Sequence, residues 1–174
     1  MNHDDPQHAH ETDGPARLVL RRAESSDVSP LQFFYDVFLR RDYFFRRGQL
    51  AEIVGGPYHQ VYVAELDGVL VGAAVTTRGH RLVNLLVHPA YRGLHIGSML
   101  LQISRATEVR AKVDITSGDP RGFYQANGFI STGQVNGKGN VETLRLSPGV
   151  NGNGNGNGAG GRAGRSQARQ SGAA

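Results

Sequence analysis

The residues of this chain best suited to chemistry sit in one turn, Arg92-Gly93-Leu94-His95-Ile96-Gly97-Ser98. Around them the chain runs R-L-V-N-L-L-V-H-P-A-Y-R-G-L-H-I-G-S-M-L-L from Arg81 to Leu101. An apolar run, a proline break, an Arg-Gly turn and a helix start thus follow one another closely. A helix start leaves its first backbone N–H groups unpaired and carries partial positive charge, so such a turn can receive a pyrophosphate. The expected ligand is a phosphorylated carrier. His88 precedes the turn and His95 lies in it, and histidine is the side chain that changes charge near neutrality, so both invite a catalytic role. The other reading makes His88 a turn residue and His95 a tolerated variant.

The elements that must position this turn occupy only the middle of the 174 residues. Residues 1–16 hold four acidic groups, three histidines (His3, His8, His10) and no Lys or Arg. That composition predicts a disordered head, whose histidines are unsupported metal ligands. Residues 149–174 are Asn-Gly repeats with scattered Arg, which predicts a flexible tail. The expected folded domain is therefore 17–148. Its net charge is +5, from 16 basic minus 11 acidic residues, once the head (four acidic) and tail (three Arg) are set aside. The excess suits anionic ligands and is too small to argue nucleic-acid binding by itself. With no cysteine, a disulfide framework, a thiolate nucleophile and cysteine-ligated zinc are excluded. No apolar run approaches the roughly twenty residues that cross a bilayer, so no membrane partner is expected and the default compartment is the cytoplasm.

Within 17–148 the spacing predicts a mixed α+β fold. Residues 18–22 read as a first strand. Ser29-Pro30 opens a helix whose apolar face is Leu31, Phe34, Tyr35, Phe38 and Leu39, and 46–54 reads as a second helix. Asp67-Gly68 between 60–66 and 69–77 is a strong hairpin signal, because both turn positions need positive φ. Residues 82–87 form the next strand, a helix carries Ile96, Met99, Leu100, Ile103 and Ala106, and 113–116 is expected as a strand returning parallel to 82–87. Asp119 suits an N-cap, Pro120 a first helical position and Gly128 a C-terminal cap. Residues 129–135 and 141–146 then form a closing hairpin.

The motifs V-H-P-A-Y-R-G-L-H-I-G and, about thirty residues on, F-Y-Q-A-N-G-F occur in this order on strand, turn and helix. The chain thereby resembles the GCN5-related N-acetyltransferases (GNAT family) over about 17–146. The resemblance implies a mixed, mostly antiparallel sheet, flanked by helices, whose central parallel pair splays apart to admit acetyl-CoA, with no metal. By position it implies that the backbone of Leu85, Leu86 and Val87 pairs with the pantetheine arm. The amides of Arg92, Gly93, Leu94, His95, Ile96, Gly97 and Ser98 would hold the pyrophosphate, and an N–H near Leu86 would meet the developing oxyanion. Tyr124 matches the tyrosine that protonates the departing thiolate. The implied partner is a small-molecule or macromolecular amine.

This chain departs from the family pattern at three places. His95 stands where the turn usually has glycine, and a negative φ there would preserve the cradle. Val83 and Asn84 stand where many members carry a glutamate base, so none is visible. Ser117 and Pro120 replace the asparagine and alanine that often precede F-Y. These departures keep open a CoA-binding regulator without turnover. A dinucleotide-binding oxidoreductase fits less well, because the G-x-G spacing is absent and hairpins precede the turn. Arg40, Arg41, Arg46 and Arg47 are read either as a solvated helical face or as recognition of an anionic acceptor.

Overall fold

The computed structural model describes residues 16–39, 48–113 and 118–149. In chain order the elements are β1 (Leu18–Arg22), α1 (Val28–Phe38), α2 (Gln49–Gly55), β2 (His59–Leu66), β3 (Val69–Thr77), β4 (Arg81–Val87), α3 (Ile96–Ser104), β5 (Glu108–Lys112), α4 (Arg121–Ala126), β6 (Phe129–Val135) and β7 (Val141–Leu146). Among the described residues the seven strands form one sheet, in the order β1-β2-β3-β4-β5-β7-β6. Every pairing is antiparallel except β4 with β5. The fold is thus a mixed α+β fold, its mostly antiparallel sheet flanked by helices.

Strand alternation gives the sheet two apolar faces, each covered by helices. On one, Ile96, Leu100 and Leu101 of α3 and Tyr124 of α4 pack with Leu82, Val109, Phe129 and Leu144. On the other, Leu31, Phe34 and Tyr35 of α1 and Leu50 and Ile53 of α2 pack with Val61, Val63, Ala73 and Val75. The β2-β3 turn has Asp67 at φ 51° and Gly68 at φ 78°, the left-handed pair that a two-residue hairpin requires. At the other end of the protein, Asp119 Oδ1 accepts from the Arg121 N–H at 3.0 Å, and Gly128 leaves α4 at φ 84°.

One strand lies elsewhere than expected. The parallel partner of β4 is Glu108–Lys112, and the strand expected at 113–116 begins one residue past its end. Residues 114–116 lie outside the described residues. Val109 and Ala111 point inward and Arg110 and Lys112 outward, so this half-polar strand shows no continuous apolar run. The helix before it is also shorter than its spacing implied. Arg105, at φ 52°, stops α3 before Ala106, which turns back into the core at 3% exposure.

The feature that makes a site is the divergence of β4 from β5. Their parallel pairing is confined to Arg81 with Glu108 and Leu82 with Val109. At that point Leu82 lies opposite Thr76 and Asn84 opposite Val75, so Val83 is an extra residue in β4. Such a bulge bends its strand and increases its twist, which carries the rest of β4 away from β5.

Candidate active site

Where β4 leaves β5, the edge of Leu85, Leu86 and Val87 forms one wall of a cleft of about 580 Å³. The opposite side is built by Arg92, Gly93, His95, Ile96, Gly97 and Ser98 of the turn and α3, together with Tyr91 and with Phe123, Ala126 and Asn127 of α4. The fold thus brings together nine of the ten expected cofactor-binding residues. Leu94 belongs to the same turn, but it is 56% exposed and is not part of the lining.

The turn is shaped by two left-handed residues, Gly93 at φ 85° and His95 at φ 58°. Glycine adopts this conformation freely, whereas for histidine it costs on the order of 1 kcal/mol. The negative φ that would have preserved the cradle is not what the structure has: the turn holds His95 in the conformation glycine would take. Met99 is the first residue of α3 to bond backward, donating to the His95 carbonyl at 3.0 Å. Among the described residues the N–H groups of Gly93, His95, Ile96, Gly97 and Ser98 have no backbone acceptor. Five such donors in the turn and at a positive helix end fit a doubly charged phosphate pair. Gly97 also keeps the cleft open toward α4, since a Cβ there would stand 3.2 Å from Phe123 Cζ.

The edge of β4 has a defined polarity. His88 donates its N–H to the Val71 carbonyl of β3 at 2.8 Å. Alternation along the strand then turns the Leu86 N–H toward β3 and those of Leu85 and Val87 toward the open edge. The free donors beside the cleft are therefore on either side of Leu86.

Tyr124, the expected catalytic residue, is not among the residues lining the cleft; it lies in the core shared by α3 and α4, at 9% exposure, with its ring edge-on to Phe123 and Phe129. Burial pushes its phenol up to about 12. A free thiol titrates near 8.5, so complete proton transfer from this phenol to a thiolate would run uphill by roughly 5 kcal/mol. Donation of a hydrogen bond is the chemistry such a group can supply.

The helix face next to Tyr124 was missed from sequence. Phe123, Ala126 and Asn127 share the i, i+3, i+4 spacing that puts them on one face, which is the signal that marks the second wall. Asn84 Oδ1 is buried without a partner. His88 is a turn residue: its Nδ1 accepts from the Ala90 N–H at 3.1 Å and its ring packs on Phe38 and Tyr91. Arg40, Arg41, Arg46 and Arg47, and the head histidines His3, His8 and His10, lie outside the described residues. Among the described residues no group of three His, Asp or Glu is placed to hold a metal, and no helix is long and apolar enough to cross a membrane.

Residues 57–131, which include every residue lining the cleft, match the family model described as an acetyltransferase (GNAT) domain. Over this stretch the chain is similar to GNAT domains. No curated protein matches it in sequence. Among solved GNAT structures, the PaiA N-acetyltransferase from Thermoplasma acidophilum in complex with coenzyme A superposes with a TM-score of 0.56 at 18% identity, covering 75% of this chain and 99% of that one. Naa50 of Arabidopsis thaliana, in complex with the bisubstrate analogue CoA-Ac-MVNAL, gives 0.56 at 18% identity over 75% and 98%. A GCN5-related glucosamine N-acetyltransferase region of a fungal multi-domain GH3 β-N-acetylglucosaminidase gives 0.56 at 16% identity, covering 70% of this chain. The chain spans 18% of that fungal protein's length. At these identities the likeness is one of fold.

Proposed function

We propose that this protein is an N-acetyltransferase that moves the acetyl group of acetyl-CoA to the primary amine of an acceptor by direct attack. The observation that carries the reading is the set of open amides at Gly93, His95, Ile96, Gly97 and Ser98, which line the cleft across from the unpaired edge of β4. Acetyl-CoA supplies an acetyl group already activated as a thioester. The amide row grips the pyrophosphate, and the edge of Leu85–Val87 offers peptide groups to the pantetheine arm in the manner of an added strand. The N–H of Leu85 or Val87 donates to the carbonyl oxygen as charge develops on it, a term worth about 3 kcal/mol for a single donor. Tyr124 holds the departing sulfur by a hydrogen bond.

The titratable residues of the lining are Tyr91, Arg92 and His95, with no carboxylate among them. The amine therefore reaches the site neutral or gives its proton to water. Both glucosamine and a peptide N-terminus occur as acceptors or acceptor mimics among the structural neighbours, so small-molecule and macromolecular amines are the classes to screen. An anionic acceptor recognised by Arg40, Arg41, Arg46 and Arg47 belongs to this proposal, and it predicts an acceptor KM that rises with salt.

The missing carboxylate is also what a CoA-binding regulator would show. Thiol release from acetyl-CoA across an amine panel, with mass spectrometry of the products, separates the two. A product heavier by one acetyl group supports the enzyme. Tight binding of acetyl-CoA with no product from any amine supports the regulator, and no binding rejects both.

A further inference from the structure

His95 is the residue of the turn whose side chain carries a backbone cost. It occupies a left-handed position that glycine would fill without strain, and it stands at the N-cap of α3 without making a capping bond. Its ring is exposed and, among the described residues, takes part in no hydrogen bond, ion pair or ring contact. Yet His95 lines the cleft beside the open amides. We infer that His95 makes the grip on the coenzyme's phosphates depend on pH, its imidazolium adding a second cation beside Arg92.

This inference rests on the reading of the cleft as a coenzyme A site. The groups facing His95 set the sign of the effect. The turn contributes Tyr91 and Arg92, α3 contributes Ser98, α4 contributes Asn127, and the β4 edge of Leu85–Val87 contributes no charge. Among the described residues the lining holds no carboxylate, so no counter-ion for a protonated imidazole is among them until a phosphate arrives. Charge-assisted hydrogen bonds of this kind are about twice as strong as neutral ones. Binding of the phosphates therefore favours the charged ring, and protonation of the ring favours binding.

The probe is dephospho-CoA, whose pyrophosphate stays ionised across the range. Coenzyme A itself carries a 3′-phosphate that titrates near pH 6 and works in the opposite direction. Calorimetry at pH 5.5 and 8.5 is run on the wild type, His95→Asn and His95→Gly, since Asn and Gly both accept positive φ. The wild type should bind about tenfold more tightly at pH 5.5 than at 8.5, taking up at most about half a proton at intermediate pH, and both variants should be flat. Circular dichroism of the variants should match the wild type. Equal pH slopes in wild type and His95→Asn overturn the inference while leaving the coenzyme site standing. Tighter binding by His95→Gly at pH 5.5 does the same, by showing that the ring obstructs. If none of the three binds at either pH, the coenzyme A reading falls and takes the inference with it.

Discussion

At the scale of single residues, the proposed reaction relies on the Tyr124 phenol, which burial has made a poor acid, one that stays protonated and can still donate a hydrogen bond. Burial raises Tyr124 to about 12, and Tyr35 is raised by the same cause. Tyr124→Phe removes the hydroxyl and leaves the ring packing on Phe123 and Phe129. In steady-state assays it should lower kcat at least tenfold while the affinity for CoA changes less than twofold. The same shift has a stability consequence whose sign follows from linkage. The folded pKa lies above the unfolded value near 10, so the neutral phenol's contribution is complete below pH 10 and is lost as pH rises through 12. Denaturant titrations between pH 10 and 12 should show a shallower loss of stability for Tyr124→Phe than for the wild type, and parallel losses would contradict this. Tyr124 and the Arg92–Ser98 turn were legible in the sequence because their types and order are distinctive. The φ of His95 was not, since a backbone angle leaves no mark on residue identity when a β-carbon is tolerated at modest cost.

At the scale of elements, turn chemistry was the most legible layer. Asp67-Gly68, Asp119-Pro120 and Gly128 each mark an end by local backbone requirements, and each end lies within a residue or two of where it was expected. What could not be read locally was β5, whose inward Val109 and Ala111 are separated by charged residues, and the bulge at Val83, which exists only relative to its partner strand. The join between β1 and α1 is likewise a long-range device. Arg21 bonds both carboxylate oxygens of Asp27 at 2.7 and 2.8 Å and reaches Glu65 on β2 at 2.6 Å. Asp27 Oδ2 also accepts from the Glu24 N–H at 2.7 Å. The Arg21 guanidinium holds the Asp27 carboxyl below the usual range, so its stabilising contribution is present above about pH 4 and is lost as pH falls. Asp27→Asn should cost about 1–2 kcal/mol at neutral pH, the lower part of the range for a charged hydrogen bond because Arg21 is partly exposed. In urea titrations that difference from the wild type should shrink toward pH 3. A difference independent of pH would mean that packing, and not charge, is responsible.

At the scale of the whole molecule, function follows from a sheet that is held together on both flanks and opened in the middle. β2-β3-β4 on one side and β5-β7-β6 on the other are antiparallel sets, joined by only two parallel residue pairs. The face covered by α3 and α4 joins the two sets, with Leu82 on one side and Val109, Phe129 and Leu144 on the other. The α1 and α2 helices pack on the β2-β3-β4 set, and the gap beyond Leu82 exposes the β4 edge. The sequence order of strands and helices led to an antiparallel sheet with one parallel crossover and the GNAT resemblance to its splaying, whereas the place where it opens depends on the bulge and on the true position of β5. The account as a whole stands on the open amides at Gly93, His95, Ile96, Gly97 and Ser98. Titration of coenzyme A into ¹⁵N-labelled protein, followed by amide chemical shifts, tests it directly. The account predicts that Gly93, Leu94, His95, Ile96, Gly97 and Ser98 shift most and saturate together, with smaller shifts along Leu85–Val87. Saturable shifts centred instead on the polar cavity of Thr77, Arg81, Thr107 and Arg145, or no saturable shift at all, would contradict it.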